Sequence, residues 1–127
     1  MLWWSFVAIG VGAALGAWIR WGLGILLNGL WPPLPLGTLA ANWAGGYLIG
    51  FSIAFFGRHT ALPPEMRLLV ITGFMGALTT FSTFSAESVT LITQERYGWA
   101  AAHILSHLVG SVSLTILGIE TVKRIWL

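Results

Sequence analysis

Between Gly73 and Ser85 the chain reads Gly73-Phe74-Met75-Gly76-Ala77-Leu78-Thr79-Thr80-Phe81-Ser82-Thr83-Phe84-Ser85, in the middle of an otherwise apolar stretch. Two glycines three apart loosen a helix, and five hydroxyl residues fall within the seven positions after Leu78. An isolated Ser or Thr in an apolar helix hides its hydroxyl by bonding it back to its own helix. Five together, just after two glycines, predict an interrupted helix whose freed backbone groups line a protein-enclosed cavity. Freed carbonyls suit a hard cation such as sodium, whereas freed N–H groups and hydroxyls suit an anion. The pattern by itself leaves both uses open.

Phe81 and Phe84 lie three apart within this run and share a helix face. A phenyl ring has a negative face and a positive edge, so an anion can rest against ring edges. It does so without meeting a full positive charge, which would hold it too long for conduction. Most Phe pairs are ordinary apolar packing, a reading weakened here by the surrounding hydroxyls. Glu87 follows one turn on, on the face of Thr83 and Phe84. Ionised and alone it would repel an anion; protonated, hydrogen-bonded to hydroxyls or paired with a cation it would not. Its structural role is that of a buried hydrogen-bonding group.

His103, His107 and Ser111 recur at i, i+4 and i+8 and make one polar stripe. Two His at that spacing can bind zinc, but a third ligand and a base should accompany them. No HExxH motif is present, so a stripe facing a wet pore, or packed against the second helix, is the better reading. Arg20 stands alone in an apolar stretch. It either draws anions toward a vestibule or snorkels to the headgroups.

The elements that must position these residues are set by composition. Of 127 residues, 57% are hydrophobic and 8% charged, against about a quarter charged in soluble domains. With a mean hydropathy of +0.84, too few polar side chains exist to cover a globule in water, and lipid must cover much of the surface. The absence of cysteine excludes disulfides, thiolate metal sites and cysteine nucleophiles. The net charge of +2 is scattered, with no basic stripe to meet nucleic acid. The first apolar segment is too long for a signal-peptide core and has no basic lead.

A membrane-spanning helix needs about 20 mainly apolar residues. Four such segments follow in one domain over residues 1–127, at about 3–30, 38–56, 67–95 and 98–119. They are separated by Trp31-Pro32-Pro33-Leu34-Pro35, by the polar turn around Pro63, Pro64 and Glu65, and by Glu95-Arg96. With an even number of spans, Trp3, Trp4 and Trp126 fall at one interface and Trp31, Tyr97 and Trp99 at the other. Arg58, Arg67, Lys123 and Arg124 then share the N-terminal side, a modest bias toward a cytoplasmic N-terminus. Gly12/Gly16 and Gly46/Gly50 form GxxxG pairs that let helices approach closely. Glu95, Arg96, Glu120, Lys123 and Arg124 read as solvated caps.

The run Gly76-Ala77-Leu78-Thr79-Thr80-Phe81-Ser82-Thr83-Phe84-Ser85-Ala86-Glu87 closely resembles the signature of the bacterial fluoride channels, the Fluc or CrcB family. So do Gly37-Thr38-Leu39-Ala40-Ala41-Asn42 and Gly16-Ala17-Trp18-Ile19-Arg20-Trp21, and the resemblance covers the whole chain. One departure is Ala77, where some members carry a second glycine. The resemblance implies an antiparallel, dual-topology homodimer in the bacterial inner membrane, all-α, with a broken third helix. It further implies two pores that passively export fluoride and so lower its toxicity. A structural, untransported sodium ion is implied at the dimer centre, held by the carbonyls of Gly76 and Thr79. Phe81 and Phe84 match the paired pore phenylalanines. Asn42 matches the pore asparagine, whose NH₂ can donate to an anion. His107, Ser111 and Glu87 fall at polar positions along the pore, and Thr38, Thr80, Thr83 and Arg20 complete the expected set. Membrane lipid and fluoride are the other implied partners.

Four helices enclose a pore poorly, which also points to a dimer; an antiparallel pair supplies an inverted repeat without duplication. The main alternative is a proton-coupled exporter using Glu87. The small multidrug transporters are similar in size but rely on a glutamate in the first helix, where this chain has Arg20 and no acid. A non-transporting assembly subunit leaves the concentrated hydroxyls unexplained. Nothing resembles a nucleophile elbow, so an enzyme is not expected.

Overall fold

Prolines and one asparagine set the first boundaries. Pro32, Pro33 and Pro35 cannot donate to a helix, and the first helix, α1 (Leu2–Leu27), ends ahead of them. The second, α2 (Leu36–Arg58), begins behind Pro35, whose ring offers no acceptor to cap it. Asn28 does so from across the turn, its Oδ1 accepting from the N–H of Gly37 at 2.8 Å and of Thr38 at 3.1 Å. These contacts appear in a computed structural model that describes residues 1–127.

The third span, Pro64–Thr93, is irregular. It opens with α3 (Pro64–Arg67), where proline at the first position suits a helix start. It then widens into a π-helical stretch, Leu68–Met75, and tightens again in α4 (Gly76–Leu78). Thr79 (φ −84°, ψ 154°) and Thr80 (φ −148°, ψ 115°) are extended, and helical geometry resumes in α5 (Phe81–Thr93). Thr80 caps that restart, its Oγ1 accepting from the Thr83 N–H at 3.1 Å. At the far end Glu95 adopts φ 57°, and Arg96 N donates to the Leu91 carbonyl while Glu95 N donates to that of Ile92, both at 2.9 Å. This closes α5 in a Schellman turn with glutamate where glycine is usual.

The fourth span, α6 (Tyr97–Ile125), continues past the expected end at 119. Glu120 and Lys123 pair at 2.7 Å, one turn apart on the helix itself. Lys123 and Arg124 fall in its last turn, where cations suit the helix dipole. Charge there does not stop the helix. The first span is shorter than the expected 3–30 because Asn28 turns away to cap α2. The third runs Pro64–Thr93 where 67–95 was expected.

The protein is thus all-helical, with four helices long and apolar enough to cross a bilayer. Only 22 of 127 residues are buried, and large side chains such as Trp3, Phe6, Trp18, Leu108 and Ile116 are exposed, as suits a surface in contact with hydrocarbon. Contacts between helices run along glycines. A Cβ on Gly12 or Gly16 would collide with the carbonyls of Leu69 or Phe74, so α1 lies against the π-helical stretch backbone to backbone. On the other side, Gly46 and Gly50 bring α2 against the carbonyls of Ser111 and Thr115 on α6. Both GxxxG pairs therefore serve packing. Trp31 and Trp99 meet edge to face at 5.3 Å on one end of the bundle, and Phe55, His59 and Trp126 cluster at the other.

Candidate functional site

The site is built outward from the extended pair Thr79–Thr80. In a continuous helix Thr80 N–H would donate to the Gly76 carbonyl and Thr83 N–H to that of Thr79. Here Thr80 N–H goes to Asn42 Oδ1 at 2.7 Å, and Thr83 N–H goes to the Thr80 hydroxyl. The carbonyls of Gly76 and Thr79 thereby lose their helical partners. The Ala77 carbonyl finds a different one, Arg20 Nε at 2.9 Å. Arg20 is thus directed at a helix C-terminal carbonyl, where a cation is favoured. The Thr79 hydroxyl turns back to the Met75 carbonyl at 2.8 Å, and the Thr79 methyl lies against Gly45 of α2.

Asn42 bridges the break from α2. Since Thr80 N–H can only donate, the atom it meets on Asn42 is the amide oxygen, which fixes the amide orientation. Asn42 Nδ2 then donates to the Thr80 carbonyl and to His107 Nδ1, each at 3.1 Å. Both amide hydrogens face protein acceptors, and His107 Nδ1, as an acceptor, leaves the ring proton on Nε2. In this conformation Asn42 orients the backbone and the imidazole and has no hydrogen left for an anion.

A cleft of about 580 Å³ runs past these groups, lined by Asn42, Gly76, Thr79, Thr80, Phe81, Phe84, His107 and Ser111 among others. Eight of the residues singled out in the sequence are thus brought to one wall by α2, the third span and α6. Phe81 is 80% exposed. Its ring centroid is 5.6 Å from that of Phe84. Phe84 in turn stacks on His103 at 5.4 Å and tilts against His107 at 4.8 Å. The Thr80 hydroxyl donates to Thr83 Oγ1 at 3.0 Å, which leaves the Thr83 hydroxyl hydrogen available.

Behind Phe84, Glu87 Oε1 accepts from the Thr38 hydroxyl at 2.5 Å. Glu87 Oε2 lies 3.4 Å from His103 Nε2 without hydrogen-bond geometry. Glu87, Thr38, Thr83, His103 and Arg20 stand outside the cleft lining, Arg20 with its Nε on the Ala77 carbonyl. Two residues escaped the sequence reading. Gly45 admits the Thr79 methyl, and Trp43 lies over Gly110 and donates to the Ser106 carbonyl at 2.9 Å. A tryptophan in an apolar helix carries no signal that separates such a role from lipid contact.

Residues 7–119 match the family model described as CrcB-like protein, Camphor Resistance (CrcB). The chain is 62% identical over 123 residues to the fluoride-specific ion channel FluC of Nitrosospira multiformis, covering 97% of this chain and 94% of that protein. It is 59% identical over 121 residues to the protein of the same name from Cupriavidus taiwanensis, covering 95% and 96%. With that of Pseudomonas putida it shares 57% over 117 residues, 92% of each. Matched along most of its length by the family model and by these relatives, with the motif residues gathered at one cleft, the chain belongs to the CrcB family.

Proposed function

We propose that this protein is a fluoride-selective passive channel that exports fluoride across the bacterial inner membrane. The observation that carries the proposal is its 62% identity, over nearly the whole of both chains, to a relative named for that activity. The cleft supplies the chemistry. The edges of Phe81 and Phe84 line the cleft and can meet a small anion without a fixed positive charge, while the Thr83 hydroxyl, outside the lining, and the buried Nε2–H of His107 keep hydrogens that no protein group takes. Asn42 acts by holding Thr80 and His107 in place.

The channel is proposed as an antiparallel homodimer with two pores. The cleft is open and apolar, flanked by exposed Phe81, Leu108 and Val112, and a second copy would enclose it. The carbonyls of Gly76 and Thr79, deprived of helical partners, fit a sodium ion shared between two copies. That ion would supply a fixed charge joining the broken spans at the dimer centre.

Ion efflux from proteoliposomes tests the proposal. Fluoride should leave without an imposed proton gradient and far faster than chloride, and removal of sodium should diminish the flux. Phe81→Ile and Phe84→Ile should suppress flux while the oligomer stays intact. Flux that required a proton gradient would favour an exporter built on Glu87, and equal chloride flux would overturn selectivity.

A further inference from the structure

Three buried polar atoms have no hydrogen-bond partner: Glu87 Oε2 on α5, and His103 Nε2 and His107 Nε2 on α6. The three side chains offer ligand atoms within 4.8 Å of one another. Two ligands of a tetrahedral zinc, each about 2.0–2.1 Å from the metal, lie roughly 3.3–3.4 Å apart. His103 Nε2 and Glu87 Oε2 are 3.4 Å apart. We propose that Glu87, His103 and His107 form a binding site for a divalent transition-metal ion of the zinc class.

The ligand set and its support agree with this assignment. Histidines at i and i+4 present both rings from one helix face, and the carboxylate approaches from a second helix. Thr38 holds the other oxygen of Glu87, and Phe84 lies against both imidazoles, so the ligands are oriented before any ion arrives. Two imidazoles and one carboxylate favour zinc, cobalt, nickel or copper over magnesium or calcium. Three protein ligands leave one coordination position open.

Asn42 sets the strength of the site. A metal on His107 Nε2 displaces the ring proton to Nδ1, which now faces the Asn42 amide nitrogen, also a donor. Either that contact becomes repulsive or the amide turns over and abandons Thr80. Asn42→Asp removes the conflict at His107, because one carboxylate oxygen can accept from Thr80 N–H and the other from His107 Nδ1–H, at the cost of the donor to the Thr80 carbonyl. An acidic partner of this kind strengthens a metal-bound histidine by about tenfold or more. If the cleft is the fluoride path proposed above, metal and anion also need opposite forms of His107. The metal takes the Nε2 lone pair, whereas the anion takes the Nε2 proton, so a bound metal should stop flux.

The test uses full-length, untagged protein in detergent, titrated with CoCl₂ and then ZnCl₂. Saturable visible bands of tetrahedral cobalt are expected, bleached when zinc replaces it. Glu87→Gln, which keeps an acceptor for Thr38, and His103→Gln should abolish the bands. His59→Gln, in the distant turn after α2, should keep them, and Asn42→Asp should raise affinity by about tenfold or more. Weak octahedral cobalt only, loss of the bands with His59, or unchanged affinity in Asn42→Asp would each overturn the site. In proteoliposomes, zinc should arrest wild-type fluoride efflux and a chelator should restore it. Efflux indifferent to saturating zinc would overturn the link to transport. Absence of efflux from metal-free protein would instead overturn the channel reading and leave the cobalt result standing.

Discussion

The two halves of the third span are held in different ways. The first half, through Leu78, is fixed mainly by shape: Gly12 and Gly16 of α1 and Gly73 of the span remove the side chains that would keep two backbones apart, with Arg20 on the Ala77 carbonyl as a directed contact at its end. The second half, α5, makes no such approach. It is held by directed groups, with Asn42 paired to Thr80, Thr38 bonded to Glu87, and Phe84 lying against both imidazoles of α6. In lipid the hydrophobic effect does little to bring helices together, so close fit and polar contact must do it. Close fit tolerates no added atom, whereas polar contact tolerates an isosteric change but not a lost partner. The rigid half supports the half that carries the polar chemistry.

Substitutions can break this contrast. Gly16→Leu places a side chain into the Phe74 carbonyl and should have the largest effect, about 3 kcal/mol or more of destabilisation, read as loss of the folded peak on size exclusion. Asn42→Leu keeps the volume but leaves Thr80 N–H and C=O without partners. It should cost about 2–4 kcal/mol in thermal stability and abolish fluoride flux. Equal tolerance of both changes would erase the distinction between the halves. Glu95→Gly relieves the left-handed backbone at the end of α5 and should stabilise by about 1 kcal/mol, a slight rise in melting temperature with flux unchanged.

Much of this was legible in the residues. The span count followed from composition and length, and the unusual segment announced itself by Gly73, Gly76 and the hydroxyls from Thr79 to Ser85. Helix ends were less legible, because Asn28 caps a helix it does not belong to and α6 continues through its charged residues. The role of Asn42 was visible only in part. Its NH₂ marked a donor, but that both hydrogens are consumed depends on a residue 38 positions away and another 65 positions away. The convergence of Glu87 with His103 and His107 was hidden for the same reason: the histidine spacing is local, and only the packing of α5 on α6 brings the third ligand.

The pairing of Asn42 with Thr80 also dictates an order of assembly. An extended segment in hydrocarbon is tolerable only when its N–H and C=O are satisfied, and here a single amide on α2 satisfies both at Thr80. Until α2 lies alongside, the third span is better served as an unbroken helix with its own ladder complete. The break at Thr79 and Thr80 is then favoured by docking of α2 and not by insertion alone, and the carbonyls of Gly76 and Thr79, which Asn42 does not reach, still lack helical partners when the spans of one chain have closed on each other.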